Sequence, residues 1–402
     1  MFYSAQLQWI LIYSCYSVST VILRYDVFQV PRRLLHGRLL FFPALVEIQL
    51  MKEASVTAQP ELSLDVQRPL GLLKLCPAYI PTPIIEIPLL AGFRVLIKDE
   101  TSRMGLNAFK GLGGVYAVVR SLLDAWQAEN VKSINPEKLL CAEFHEWCHK
   151  FVFVCATAGN HGLAVARGAQ LFNARCRVHV AATVPDIFKE RLREVGAEVI
   201  ISGETYEQSM SAAVSDSTAG KILVSDSSWK GYFELPIVIM EGYSVLMDEI
   251  SNVCRRKKEW PSHVFVQAGV GGLAAAVAFE IREKWPYQPR IIIVEPESAR
   301  CLAESVKQNR LTRVSGVASV MGRLDCKEPS LVAFEYLKKN ADDFVEVSDS
   351  EAHKAMEHLQ AEGISTTTSG AAGVAAIIQR DRLRLNIVEG SVCLAFVTEA
   401  AI

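Results

Sequence analysis

Nucleic acid and anionic membrane surfaces find little to hold in this chain. Its net charge is −2 over 402 residues, and no basic excess supplies the electrostatic footprint such partners need. The notable charge run, Arg255-Arg256-Lys257-Lys258, reads as a solvated helix end. No two of the ten cysteines are spaced as C-x-x-C, and several sit inside apolar runs such as Val154-Cys155-Ala156 and Val392-Cys393-Leu394. That pattern points to buried free thiols in a reducing, cytoplasmic setting and excludes a disulfide framework. Internal repeats and low-complexity tracts are absent. No Lys-Ser/Thr pair follows a glycine-rich loop, which excludes a nucleotide P-loop, and no spaced G-x-G-x-x-G with a downstream acid supports a dinucleotide site.

What remains is a chain that is 50% apolar and 21% charged, the balance of a globular enzyme with a large core and roughly two or three domains. Residues 7–23 are mostly apolar but interrupted by Ser14, Ser17, Ser19 and Thr20. The stretch is about long enough to span a bilayer, yet it lacks a basic n-region and an obvious cleavage site. The expectation is that residues 1–70 are an extension, disordered or begun too early with Met51 as the natural first residue, and that there is no membrane partner. Residues 52–70, polar and carrying Pro60 and Pro69, read as a lead-in.

From residue 78 the pattern alternates. Strands are expected at 95–98, 151–155, 177–182, 198–201, 264–266, 291–294 and 392–397. Helices are expected at 107–123, 162–172, 188–195, 273–284 and 352–362, with a last one after Gly370. Such alternation implies a mostly parallel sheet covered on both faces, whose ligands collect at the carboxyl ends of the strands.

Three loops open helices. Gln267-Ala268-Gly269-Val270-Gly271-Gly272 turns backbone N–H groups inward at a helix start, a geometry suited to phosphate; it also suits a plain tight turn. Thr157-Ala158-Gly159-Asn160-His161 sets a hydroxyl, an amide and an imidazole in one turn, suited to a carboxylate, with His161 either packing or touching substrate. Thr366 to Gly373 offers a helix N-cap, for which Ser369 or Thr368 is chemically suited, or a hydroxyl facing a ring nitrogen. Cys141, His145, Cys148 and His149 share a helical face, but no second ligand set lies near, so an amphipathic helix explains them and no metal is expected. Lys110, between Phe109 and a run of glycines, would by itself be a solvated lysine. Its company changes that reading.

The ordered set of Asn107-Ala108-Phe109-Lys110, AGNHG, GVGG and Ser-Gly-Ala resembles the fold type II pyridoxal-phosphate enzymes over about residues 76–400. These include threonine and serine dehydratases, cysteine synthase and the tryptophan synthase β chain. KDETSRMGLNAFKGLGG (98–114), VSDSSWKGYFELPIVIMEGY (224–243), QAGVGGLA (267–274) and VEPESARCL (294–302) are more specifically similar to diaminopropionate ammonia-lyase. The resemblance implies an α/β fold of two three-layer domains, tryptophan synthase β-like. Residues 71–126 and 229–402 would form the large cofactor-binding domain, and 127–228 a small mobile one. It implies pyridoxal 5'-phosphate as cofactor, a small amino acid as substrate and a homodimer. Lys110 would hold the cofactor covalently and move protons. Gly269, Val270, Gly271 and Gly272 would bind its phosphate, Asn160 would meet the ring hydroxyl, and Ser369 would face the ring nitrogen. A hydroxyl there, unlike a carboxylate, favours elimination over transamination. Thr157, Gly159, Asn160 and His161 would hold the substrate carboxylate, and Asp226 its second amine.

The chain departs from that pattern in places. Ammonia-lyases of this kind carry an aspartate at the position of Ala158, associated with the D-isomer, so the expectation is L-selectivity. Thr368 replaces a glutamate, and Thr398-Glu399-Ala400 replaces Thr-Glu-Gly. The implied reaction is α,β-elimination of 2,3-diaminopropionate to pyruvate and ammonia. A serine/threonine dehydratase, a β-replacement enzyme, a non-catalytic cofactor-binding homologue and a version anchored in a membrane by residues 7–23 stay open at this point.

Overall fold

The computed structural model describes residues 61–88, 92–130, 136–157, 159–218 and 220–401. The apolar stretch 7–23, Met51 and Ala158 lie outside the described residues. In chain order the strands are β1 (Ile84–Ile87), β2 (Arg94–Asp99), β3 (Val152–Ala156), β4 (Arg175–Val180), β5 (Glu198–Ile201), β6 (Lys221–Leu223), β7 (His263–Gln267), β8 (Arg290–Pro296), β9 (Asp343–Val347) and β10 (Val392–Val397). They form a six-stranded sheet, ordered β1-β2-β10-β7-β8-β9, and a four-stranded sheet, ordered β5-β4-β3-β6. All pairings are parallel except β1 with β2.

The central strands are near-continuous apolar runs because helices cover both faces. Every residue of β3, β7 and β10 is buried. Strand β10 lies between β2 and β7, with Val397 opposite Asp99 and Ala395 opposite Phe265. Three strands therefore end side by side, and the loops that leave them are forced together. One leads to Lys110, one to the glycines after Gln267, and one to Thr398 and Glu399. Thr157 to His161 leaves the end of β3, in the other sheet. No helix among the described residues is long and apolar enough to cross a membrane.

Part of the expected lead-in is structured instead. Leu62, Leu64 and Val66 are buried in the main core, since their spacing by two sets them on one side of an extended segment. The helix Gln67–Leu73 follows, and the Asp65 N–H donates to Glu241 Oε1 at 3.1 Å.

The helix expected at 107–123 runs instead as Lys110–Asn130. Met104 and Asn107 before it have φ of 51° and 60°, a left-handed backbone that ends any helix and costs energy away from glycine. Tertiary bonds hold this turn. The Phe109 N–H donates to Thr398 O at 3.1 Å, and the Ala400 N–H to Asn107 O at 2.9 Å. Beneath it lies a charged cluster with no exposure at Lys98, Glu100 or Arg103. Arg103 Nε donates to Glu100 Oε2 and Nη2 to Glu249 Oε2, both at 2.7 Å, while Lys98 Nζ donates to Glu249 Oε2 at 2.6 Å. After Lys110 the residues must be small. Helix Lys110–Asn130 crosses helix Glu234–Lys257 so closely that a Cβ on Gly242 would lie 2.8 Å from Gly113 Cα.

Candidate active site

Lys110 opens its helix with its amine inside the molecule. Nζ donates to Asp226 Oδ2 at 2.5 Å and lies 5.0 Å and 5.5 Å from the ring centroids of Phe109 and Tyr243. Burial works against charge on both partners, and their mutual attraction outweighs it. Lys110 is accordingly held above the ordinary lysine range and Asp226 below the ordinary carboxylate range. Burial likewise pushes the Tyr243 phenol up to about 12, opposed by Lys110.

Asp226 follows β6 in the run Asp-Ser-Ser-Trp-Lys-Gly-Tyr, which folds back on itself. The Trp229 and Tyr232 backbones bond each other in both directions, at 3.0 and 2.9 Å, and their rings stack at 4.4 Å. The Tyr232 hydroxyl accepts from the Ser225 N–H at 3.0 Å and donates to Leu223 O at 2.9 Å. A carboxylate flanked by these bonds has a fixed direction.

His161 Nε2 donates to Val224 O at 2.9 Å, so in the neutral ring Nδ1 keeps its lone pair; it lies 4.0 Å from Asp226 Oδ2. Burial holds this imidazole below the usual histidine range. The residue both packs and faces the site. In the same turn the Thr157 hydroxyl accepts from the Gly159 and Gly162 N–H groups at 2.9 and 3.2 Å. Thr157 thus organises the turn, and the Asn160 and His161 N–H groups are left at the start of helix Asn160–Leu171 for an anion.

After β7, Gly271 is the N-cap of helix Gly272–Lys284, with φ of +98°. A Cβ there would sit 3.0 Å from Ala333 Cβ and Leu302 Cδ1. Gly271→Ala is expected to combine backbone strain with this contact and to destabilise the loop by about 1–3 kcal/mol. The check is weaker cofactor retention on dialysis together with a lower Tm.

Gln267 ties this loop to its neighbours, its Nε2 donating to Gly370 O and Phe396 O, each at 3.0 Å. The cap of helix Thr368–Ile378 is Thr367, whose hydroxyl accepts from the Gly370 N–H at 3.1 Å, and neither Ser369 nor Thr368. Ser369 is thereby free to point inward, where its hydroxyl accepts from the Arg323 N–H at 3.2 Å, and Thr368 donates to Val320 O at 2.9 Å.

All the described positions singled out from the sequence for cofactor or substrate, from Lys110 to Ser369, line one cavity of about 300 Å3. The helix Ala142–Cys148, where Cys141, His145, Cys148 and His149 cluster, lies apart from it. Sequence reading missed Glu399, Arg323 and Tyr206, which share the cavity wall. Glu399 had a usable signal, its place at the carboxyl end of the closing strand. Arg323 had none, because it sits in an irregular segment between residues 309 and 330.

Residues 75–399 match the pyridoxal-phosphate dependent enzyme family. The chain belongs to that family. Among its relatives, diaminopropionate ammonia-lyase of Salmonella typhimurium is 34% identical over 326 residues, covering 77% of this chain and 80% of the relative. L-threonine ammonia-lyase of Thermotoga maritima is 27% identical over 232 residues, covering 56% and 54%. The structure of Escherichia coli diaminopropionate ammonia-lyase in complex with an aminoacrylate-PLP azomethine reaction intermediate superposes with a TM-score of 0.74 at 29% identity. It covers 85% of this chain and 91% of that one.

The family's cofactor is pyridoxal 5'-phosphate, and the cavity fits it. An amine at Lys110, a glycine loop at a helix N-terminus and a neutral hydroxyl at Ser369 all line the cavity, a donor set that would suit an aldehyde, a phosphate and a pyridine nitrogen. The packing behind Gly271, against Ala333 and Leu302, leaves no room for a side chain at that point of the loop.

Proposed function

We propose that this member of the family eliminates the β-amine of L-2,3-diaminopropionate, giving pyruvate and two ammonia molecules after hydrolysis. The 2.5 Å pair between Lys110 and Asp226 carries the reading, together with a 34% identical relative of that activity. When bound, the cofactor supplies the electron sink that makes the substrate α-hydrogen acidic. Lys110 Nζ is the general base that takes it. A lysine held charged by a carboxylate is no base, however. The second ammonium of a diamine competes for Asp226 and so frees Lys110 to be neutral, which makes the diamine a better substrate than serine. The Asn160 and His161 N–H groups hold the substrate carboxylate, and the β-amine departs from its place against Asp226. Residues 127–228 would serve as a small domain that closes over substrate, in a cytoplasmic homodimer.

The test measures pyruvate release from L-2,3-diaminopropionate, its D-isomer and L-serine, with 2-oxobutanoate read out for L-threonine. A preference for the L-diamine supports the proposal. Equal turnover of the D-isomer overturns the L-selectivity, and preference for serine or threonine overturns the substrate. Asp226→Asn is expected to cut the diamine-over-serine ratio of kcat/KM by about 10- to 100-fold, the worth of one hydrogen bond to a charged group.

A further inference from the structure

Glu399 is 4% exposed and lies within bonding distance of three donors. Its Oε2 accepts from Asn160 Nδ2 at 2.5 Å. Its Oε1 accepts from the Thr367 hydroxyl at 2.5 Å and lies 3.0 Å from Arg323 Nε. The Arg323 guanidinium is in turn stacked on Phe188, 5.1 Å from the ring centroid. The proton-transfer scheme gives this carboxylate no task, yet among the described residues it is the hydrogen-bond partner of the Asn160 side chain.

We propose that Glu399 is a positioning residue that fixes which way the Asn160 amide faces, with Arg323 and Thr367 holding the carboxylate for that purpose. The inference rests on the reading that Asn160 donates to the cofactor's ring hydroxyl. An amide has an oxygen end and a nitrogen end of nearly equal size, and only its partners decide between them. An ionised carboxylate accepts and cannot donate, so it draws Nδ2 toward itself. One N–H of Nδ2 is used on Glu399, and the other is left for the ring oxygen. A protonated Glu399 could instead donate to the amide oxygen and turn the amide round. Burial favours that protonated form, and the Arg323 charge opposes it. Arg323 thus acts on the Asn160 amide through Glu399, although its own side chain also lines the cavity.

Glu399→Gln separates this role from packing, because it keeps the shape. The Thr367 hydroxyl donates to the Oε1 position and the Arg323 charge lies 3.0 Å from it, so both draw the new amide's oxygen to that side. The new NH2 then faces Asn160, which must present its oxygen. The holoenzymes Asn160→Ala, Glu399→Gln and Arg323→Gln and the Asn160→Ala/Glu399→Gln double variant are compared by cofactor absorbance and by cofactor dissociation constant on dialysis. Each single variant is expected to shift the visible band and to weaken retention about tenfold, the loss of one hydrogen bond to a charged group. The double variant should match Asn160→Ala alone, because Glu399 works only through Asn160. If Asn160→Ala changes neither readout, the underlying placement of Asn160 is wrong and the inference falls with it. If Asn160→Ala changes them but Glu399→Gln does not, or the two effects add, Asn160 is correctly placed and the role of Glu399 is overturned. Should Glu399→Gln fail to fold, Arg323→Gln, at a partly exposed position, decides by the same comparison with Asn160→Ala.

Discussion

Lys110→Ala is expected to lower diamine turnover by about 10³-fold, within the range that a positioned general base contributes. The expectation follows from where the amine is. Nζ is enclosed with Asp226, Phe109 and Tyr243, and no other lysine lines the cavity among the described residues. His161 cannot substitute, because its Nε2 is committed to Val224 O and burial keeps its Nδ1 a weak base. The loss should fall on kcat, with added methylamine restoring part of it, and the cofactor band should change because no covalent bond to the protein remains. Asp226 loses its partner in the same variant, so Tm is measured alongside. Turnover above a tenth of the parent's, with an unchanged cofactor band, would remove Lys110 from both its roles.

Glu249→Gln should cost about 3–5 kcal/mol of stability, the usual consequence of leaving a buried charge uncompensated. In the parent, Lys98 and Arg103 face Glu100 and Glu249, two charges of each sign. The change leaves two cations against one anion, with Lys98, Glu100 and Arg103 entirely removed from water. Adding Lys98→Met to Glu249→Gln restores the balance of charge and is expected to recover part of the loss. The pH dependence has a definite sign. Burial pushes Glu249 up, but Arg103 and Lys98 outweigh it and hold it below the usual glutamate range. Its contribution is therefore complete above the unfolded glutamate pKa of about 4.3 and disappears as pH falls through the lower, folded value. Acid titration of Tm should be shallower in Glu249→Gln than in the parent. An unchanged Tm at neutral pH would show that the cluster is not needed for stability.

The sequence made some elements plain and hid others for physical reasons. The run at 392–397 coincides with β10, since a strand buried on both faces has no polar interruption to blur its ends. The glycine loop and Lys110 were legible only in company, since alone the one suits a tight turn and the other a solvated lysine. Leu62, Leu64 and Val66 were hidden by the polar residues between them, which the extended segment turns outward. Of the 24-residue helix Glu234–Lys257 only the charged end at Arg255–Lys258 was expected, for the buried residues of its body run almost all round and leave no clean stripe. The cap of helix Thr368–Ile378 fell on Thr367 rather than its neighbours, a shift that composition alone cannot resolve. Glu399 and Arg323 meet only through the fold, and nothing local to either announces the other.

Strand β10 is the last of the described strands in chain order and lies in the middle of its sheet. It separates β2 from β7, and without it Asp99 and Gln267 have no shared neighbour. Contacts between the two ends of the described chain must form late and at high entropic cost. On a ribosome, the stretch carrying Lys110 emerges long before Glu399. The cavity therefore cannot close around a reactive aldehyde until residues 392–399 have been synthesised. Cofactor capture must wait for β10, and a chain truncated before Val392 is expected to lack the site altogether rather than to hold a weakened one.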